Sequence, residues 1–250
     1  MIEETGNILD NIGIVLDRTR HAGNIGSVSR LMKNLGFNHL HLVNPTEYMH
    51  ISALRMARGT EEMIEKASLH GTLTEAVSGY HLSFATSHRM KQDTAMSLAE
   101  GAKKIVSTAR NNKVAILFGS EKYGLSKEDT EKANGVITLP VEQEFPSVNL
   151  AQSVGMVALQ VKLEAIGTKT NVPNQIDNAS IHLTKEKSKM FIDEFLSLAG
   201  IVGFEMPSIE LKIREVLERT NLTEAEFNLF YGLVRMVKKK VTGREDGRKY

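Results

Sequence analysis

The chain has 250 residues, 41% of them hydrophobic, enough to bury one core of ordinary domain size and a smaller second one. The absence of cysteine excludes disulfides, thiolate nucleophiles and thiolate metal sites, and no apolar run nears the roughly 20 residues that cross a bilayer. A formal net charge of +1 excludes a global basic field, and the acidic start "MIEETGNILD" lacks the features of a signal peptide, so a cytoplasmic protein without membrane attachment is expected.

Apolar, β-rich runs alternate with helical patterns through the first two-thirds. "IGIVLD" (12–17) reads as a strand. In "SVSRLMKNLG", Val28, Leu31, Met32 and Leu35 recur at i, i+3, i+4 and i+7, an amphipathic helix that Gly36 ends. "HLHLVNP" is a second strand stopped by Pro45. Its two histidines have no matching carboxylate pattern, and the eight histidines are scattered, so no metal site is expected. Thr72 and Glu75 have capping-box spacing and open a helix. "HLSFATS" (81–87) is a third strand, and a helix over about 96–110 follows. "VAILFGS" (114–120) is a fourth strand, then a short helix with Ser126 as N-cap, then a fifth strand in "GVITLPV". Strands alternating with helices imply an α/β fold, a parallel sheet with helices on both faces.

The helix after the fifth strand carries Val154, Met156, Val157, Ala158, Leu159 and Val161, apolar nearly all round. Such a helix is buried on more than one side, in the core or against a second subunit. "TKTNVPNQIDNAS" (168–180) has no periodicity and reads as a linker. Beyond it only helical patterns occur: Phe191, Phe195 and Leu198; Ile209, Ile213, Val216 and Leu217; and, after a Thr223–Glu226 capping box, Phe227, Phe230, Tyr231 and Val234. The expected organisation is a main domain over 1–167, a linker over 168–184, and a small all-α extension with a basic tail over 185–250. That tail holds Arg235, Lys238, Lys239, Lys240, Arg244, Arg248 and Lys249 against Glu245 and Asp246, a solubility tail or a phosphate-contacting edge.

In parallel α/β sheets ligands sit outside the carboxyl ends of the strands. The turn-rich segments "RTRHAGNIGS", "ATSHRMK", "FGSEKYG" and "LPVEQEFPSVN" follow strands at that edge. "GNIG" lacks the spacing of a dinucleotide fingerprint, and no Walker pattern occurs, which disfavours NAD or ATP binding. Taken together, "HAGNIGSVSRLMKNLGF" (21–37), "LFGSEKYGLS" (117–126) and "LPVEQEFPSVNLAQSVGMVALQ" (139–160) resemble the three signature motifs of the SPOUT-class RNA 2′-O-ribose methyltransferases, the TrmH-like superfamily. "VNP" after the second strand, "TS" after the third and the helical extension resemble its TrmJ branch, which methylates tRNA at cytidine or uridine 32.

That resemblance implies S-adenosylmethionine as cofactor, tRNA as substrate, a C-terminal trefoil knot in the main domain, and a homodimer through the knot region. It places cofactor contacts on Thr86, Ser87, His88, Gly119, Leu139, Pro146, Ser147 and Val148. Leu139 would supply an apolar wall, and Gly119 would permit close backbone approach. The sequence departs from the branch at Pro146, which has no N–H to offer, and at Ser120, where the branch often has Arg. Arg30, Glu121 and Asn149 are the catalytic candidates. Glu121 is either a base for the 2′-hydroxyl or an organiser of its loop; Asn149 is either an orienting hydrogen bonder or the N-cap of the next helix. Arg30, on the helix's polar face, corresponds to the family's essential arginine. An arginine does not deprotonate, so its expected role is to clamp a phosphate and stabilise alkoxide charge. Arg18, Arg20, Arg55, Arg58, Arg89 and Lys91 are further candidate RNA contacts, and few exposed aromatics are evident. Methylation of ribosomal RNA or another tRNA position, and a non-catalytic RNA-binding role, are the alternatives.

Overall fold

The computed structural model describes residues 8–87, 95–142, 144, 146–167, 183–204, 207–219 and 222–242, which fall into two compact units divided after Ala179. The first unit is built on a seven-stranded sheet. Its strands are β1 (Ile12–Asp17), β2 (His39–Val43), β3 (Ser68–His70), β4 (Leu82–Ser87), β5 (Met96–Ser97), β6 (Val114–Phe118) and β7 (Gly135–Thr138). They lie in the order β3-β2-β1-β6-β4-β7-β5, and every pair is parallel. β1 and β6 are buried along their whole length, as unbroken apolar runs in a parallel sheet require. Within them alternation sorts the faces: Ile12, Ile14, Leu16, Val114, Ile116 and Phe118 join the main core, whereas Val15, Ala115 and Leu117 join a smaller cluster on the opposite face.

The helices of this unit are α1 (Ala22–Leu35), α2 (Ile51–Ala57), α3 (Glu61–Glu65), α4 (Leu73–Val77), α5 (Leu98–Ala109), α6 (Lys127–Glu131) and α7 (Leu150–Gly167). α1 buries Val28 and Met32 and ends at Gly36, whose φ of 85° is the left-handed conformation that favours glycine. Gly26 lies against α2: a Cβ there would sit 2.0 Å from the Ala53 carbonyl oxygen, so only glycine lets the two helices meet this closely. Capping boxes open α4 at Thr72 and α5 at Ser97, and Ser126 caps α6. α7 packs on α1 and α5 and buries Val154, Val157, Ala158 and Val161, while Leu159, Leu163 and Ile166 remain exposed.

The sequence predicts five strands. The two extra ones, β3 and β5, are three and two residues long and occupy the sheet edges, too short to show a period. α2 and α3, also absent from that reading, are single turns or two that owe their existence to packing on α1.

The second unit contains α8 (Lys185–Ile201), α9 (Pro207–Arg219) and α10 (Glu224–Thr242). Leu183, Phe191, Phe227 and Val234 form its core, with Phe195, Leu198, Leu217 and Tyr231 against it, and the Phe191 and Phe227 rings meet edge to face at 5.9 Å. Phe230 and Val216, expected on the inward stripes, are 44% and 47% exposed. The Thr223–Glu226 box forms as expected. No helix among the described residues is long and apolar enough to cross a membrane.

On the smaller face of the sheet, His41 Nε2 meets the Tyr80 hydroxyl at 2.6 Å, and its Nδ1 meets His70 Nε2 at 3.0 Å. Burial, reinforced by His70, lowers the His41 pKa from 6.5 to about 4, and burial raises Tyr80 to about 12. A histidine held neutral in the fold contributes stability above its unfolded pKa, and that contribution is lost as pH falls from about 6.5 towards 4. In urea unfolding, wild type should therefore lose its margin over His41→Gln across this window, by on the order of 2 kcal/mol after discounting for solvent. A pH-independent difference would contradict the buried neutral state.

Candidate active site

Because all strands run parallel, the segments after β1, β4, β6 and β7 gather at one edge of the sheet. β1 and β6 are neighbours, so the loop over 18–21 lies beside the turn over 119–126. That turn is tight. The Gly124 N–H donates to the Ser120 carbonyl at 2.8 Å, and Gly124 has a φ of 66°. A Cβ on Gly119 would lie 1.9 Å from the Gly124 carbonyl carbon and 2.0 Å from the Leu125 nitrogen. Glycine at 119 is thus required by its own turn. It also lines the cleft described below.

The turn aims the Glu121 carboxylate back at the β1 loop. Its oxygens accept from the Arg20 N–H at 3.0 Å, the His21 N–H at 3.1 Å and the Asn24 side-chain amide at 2.8 Å. α1 has no side-chain cap at His21 and no acidic residue in its first turn, so the charge its N-terminus calls for comes from a residue a hundred positions away. Burial alone would raise the Glu121 pKa, but the Arg20 and His21 amides and Asn24 outweigh it, and the carboxyl is held below its usual range.

Asn24 carries the connection further. Its side-chain oxygen accepts from the Asn149 amide at 3.0 Å, while Asn149 Oδ1 takes the N–H groups of Ala151 at 2.9 Å and Gln152 at 3.4 Å. Asn149 is therefore the N-cap of α7 and an orienting group at once. The chain Glu121–Asn24–Asn149 fastens three segments: the β6 turn, the start of α1 and the start of α7. Sequence reasoning missed Asn24. It stands inside the quoted motif "HAGNIGS", but only contact with Glu121 gives it a role.

Beside this chain lies a cleft of about 260 Å³, and Thr86, Ser87, Gly119, Leu139, Pro146, Ser147 and Val148 all line it, with Glu121 and Lys122 at the same wall. His88, also expected there, lies outside the described residues, as do Arg89 and Lys91. The Thr86 hydroxyl donates to the Leu117 carbonyl at 2.9 Å, so it offers a ligand only its lone pairs. Leu139 is nearly buried and floors the cleft. Hydroxyls beside an apolar floor match the donor set that a nucleoside needs. Among the described residues no group of three or more His, Cys, Asp or Glu could hold a metal ion.

Arg30 is not brought to this cluster within the chain. It is exposed on α1, six residues past Asn24 and so about 9 Å further along the axis, and no described residue pairs with it. It flanks a groove between α1 and α7 lined by Ser27, Leu31, Asn149, Gln152, Gly155 and Met156. Arg18, another candidate RNA contact, is engaged within the chain. With a φ of 51° it turns back onto Asp17 at 2.6 Å and Asp129 at 2.9 Å, fixing the end of β1 to α6. Arg55 and Arg58 are exposed at the end of α2.

Residues 11–159 match the SpoU rRNA Methylase family. The chain is similar to the tRNA (cytidine/uridine-2′-O-)-methyltransferase TrmJ of Sodalis glossinidius, 30% identical over 91% of each chain. It is likewise 30% identical to the TrmJ of Escherichia coli strain K12, over 95% of this chain and 99% of that one. Its fold is similar to the crystal structure of TrmJ from Z. mobilis ZM4, with a TM-score of 0.72 and 27% identity over 91% of this chain and 99% of that one.

The capping role of Glu121 has a measurable signature. Glu121→Ala should destabilise the protein in urea by about 1–2 kcal/mol at pH 7, the charge-assisted bonds being weakened by partial exposure. Since the folded pKa lies below 4.5, the difference from wild type should persist above that value and close as pH falls through the folded one. A gap that widens on acidification would contradict an ionised, hydrogen-bonded carboxylate.

Proposed function

This chain belongs to the SpoU rRNA methylase family, and from that premise we propose that it transfers a methyl group from S-adenosylmethionine to a ribose 2′-hydroxyl of tRNA. The target is cytidine or uridine at anticodon-loop position 32; the relatives' names specify tRNA cytidine/uridine 2′-O-methylation. The observation that carries the reading is the Glu121–Asn24–Asn149 chain, which fixes three loops around one cleft at the carboxyl edge of the sheet.

S-adenosylmethionine, when bound in that cleft, supplies an electrophilic methyl group. Leu139 and Val148 would give its adenosine an apolar wall, and Ser87 and Ser147, which line the same cleft, would serve its polar groups. Pro146 has no N–H, so Ser147 and Val148 provide the amides of that loop. Glu121 is spent on holding the β1 loop, and its lowered pKa makes it a weak proton acceptor; its role is positional. Asn149 fixes the α7 terminus against the same loop. Arg30, exposed and permanently charged, clamps the target nucleotide's phosphate and stabilises developing alkoxide charge.

Arg30 reaches a cleft by dimerisation. The α1–α7 groove and the exposed Leu159, Leu163 and Ile166 of α7 form the subunit interface, so Arg30 of one protomer serves the cleft of its partner. The C-terminal strands, loops and last helix of the first unit form the trefoil knot. The methyltransferase domain spans 1–167, a linker 168–184, and an extension with a basic tail 185–250; the enzyme works in the cytoplasm with tRNA and a second copy of itself as partners.

The test is methyl-labelled S-adenosylmethionine with unmodified total tRNA, read by nucleoside mass spectrometry, with ribosomal RNA in a parallel tube. Wild type should yield 2′-O-methylcytidine and 2′-O-methyluridine from anticodon-loop fragments, and Arg30→Ala should lose about 100-fold or more in rate with cofactor affinity unchanged. Label in ribosomal RNA alone would redirect the substrate assignment, and an active Arg30→Ala would overturn the clamp.

A further inference from the structure

Tyr123 stands at the tip of the β6 turn and is 54% exposed. Two cations attend its ring: Lys122 Nζ lies 4.9 Å and the Arg20 guanidinium carbon 5.6 Å from the centroid. Its chain neighbours Lys122 and Gly124 both line the cleft, so the ring stands just outside the mouth. A single exposed aromatic is ordinary on a protein surface. This one is held in place. The Tyr123 N–H donates to Ser120 Oγ at 3.4 Å, and the Ser120–Gly124 bridge closes the turn beneath it. Arg20 is fixed from the other side, its N–H bound by the Glu121 carboxylate while its guanidinium lies over the adjacent ring. One residue thus anchors the backbone of the loop whose side chain meets the platform.

An exposed π-face beside two positive charges is the arrangement that single-stranded nucleic acid recognises, base on ring and phosphate on cation. We propose that Tyr123 is a stacking platform for an RNA base next to the methylated nucleotide, with Lys122 and Arg20 taking the flanking phosphates. Cation–π contacts at an exposed ring are weak, so an arriving base can displace either cation towards a phosphate. The ring lies beside the cleft rather than in it, which assigns it to the RNA rather than to the cofactor's adenine. This gives the chain an exposed aromatic beside the cleft where the sequence shows few. The inference rests on the transferase reading above.

The experiment uses the full chain and an anticodon stem-loop RNA carrying 2-aminopurine beside the target nucleotide. Methyl transfer, 2-aminopurine fluorescence and cofactor affinity are measured for wild type, Tyr123→Ala, Tyr123→Phe and Lys122→Ala. Wild type should quench the fluorescence. Tyr123→Ala should abolish the quench and raise KM for RNA about tenfold, with kcat within about twofold and cofactor affinity unchanged. Tyr123→Phe should restore both, because the ring and not the hydroxyl does the stacking, and Lys122→Ala should reduce the salt slope of RNA binding by about 1. An unchanged KM in Tyr123→Ala, a failure of Tyr123→Phe to restore it, or a loss confined to cofactor affinity would overturn the platform while leaving the transferase reading intact. Quenching by a wild type that transfers no methyl to any RNA would remove the transferase reading and keep the platform.

Discussion

The carboxylate of Glu121 is the point on which the edge of this sheet depends. A parallel sheet delivers its loops to one side, but it does not arrange them. Here α1 starts without a cap of its own, and a side chain from the neighbouring strand's turn supplies three acceptor contacts at that start. The same interaction settles an electrostatic question. Helix-end N–H groups favour an ionised carboxylate, so Glu121 is well suited to hold and poorly suited to take a proton. Of the two roles that sequence leaves open for it, base or organiser, these hydrogen bonds suit the second.

Around that carboxylate, irregular backbone is made rigid by few groups. Gly119 and Gly124 let the β6 turn fold onto itself, Gly26 lets α1 touch α2, and Arg18 in the left-handed conformation bolts β1 to Asp129. Asn149 caps α7 and meets Asn24 with the other end of its amide. A site assembled from loops needs such fixing, because a displacement of about 1 Å in a positioning group is costly to catalysis. Glu121, Asn24 and Asn149 are occupied with one another, whereas Tyr123, Lys122 and Arg30 are exposed.

The central strands were legible because burial on both faces writes an unbroken apolar run, as in "IGIVLD" and "VAILF". Helices with local signals were also legible: Gly36 ends α1, Ser126 caps α6, and Thr72 and Thr223 open helices with reciprocal bonds. What failed to show was non-local. β3 and β5 exist as edge pairings of two or three residues, and α2 exists because Gly26 admits it against α1. Asn24 is a small amide in a glycine-rich stretch until Glu121, some hundred residues on, gives it a partner. Arg18 looked like one more surface cation because nothing in the sequence announces its turn towards Asp17. Phe230 looked inward because its spacing from Phe227 fits a stripe, yet it is 44% exposed.

The most direct measurement of this account is amide hydrogen exchange at Arg20 and His21 in wild type and Glu121→Ala, followed residue by residue. Among the described residues both N–H groups bond only to the Glu121 carboxylate, whereas the β1 and β6 amides are held by the sheet. The account requires protection at 20 and 21 in wild type, its loss in the variant, and unchanged protection in the two strands. Amides at 20 and 21 that exchange alike in both proteins would contradict the claim that this one carboxylate holds the site together.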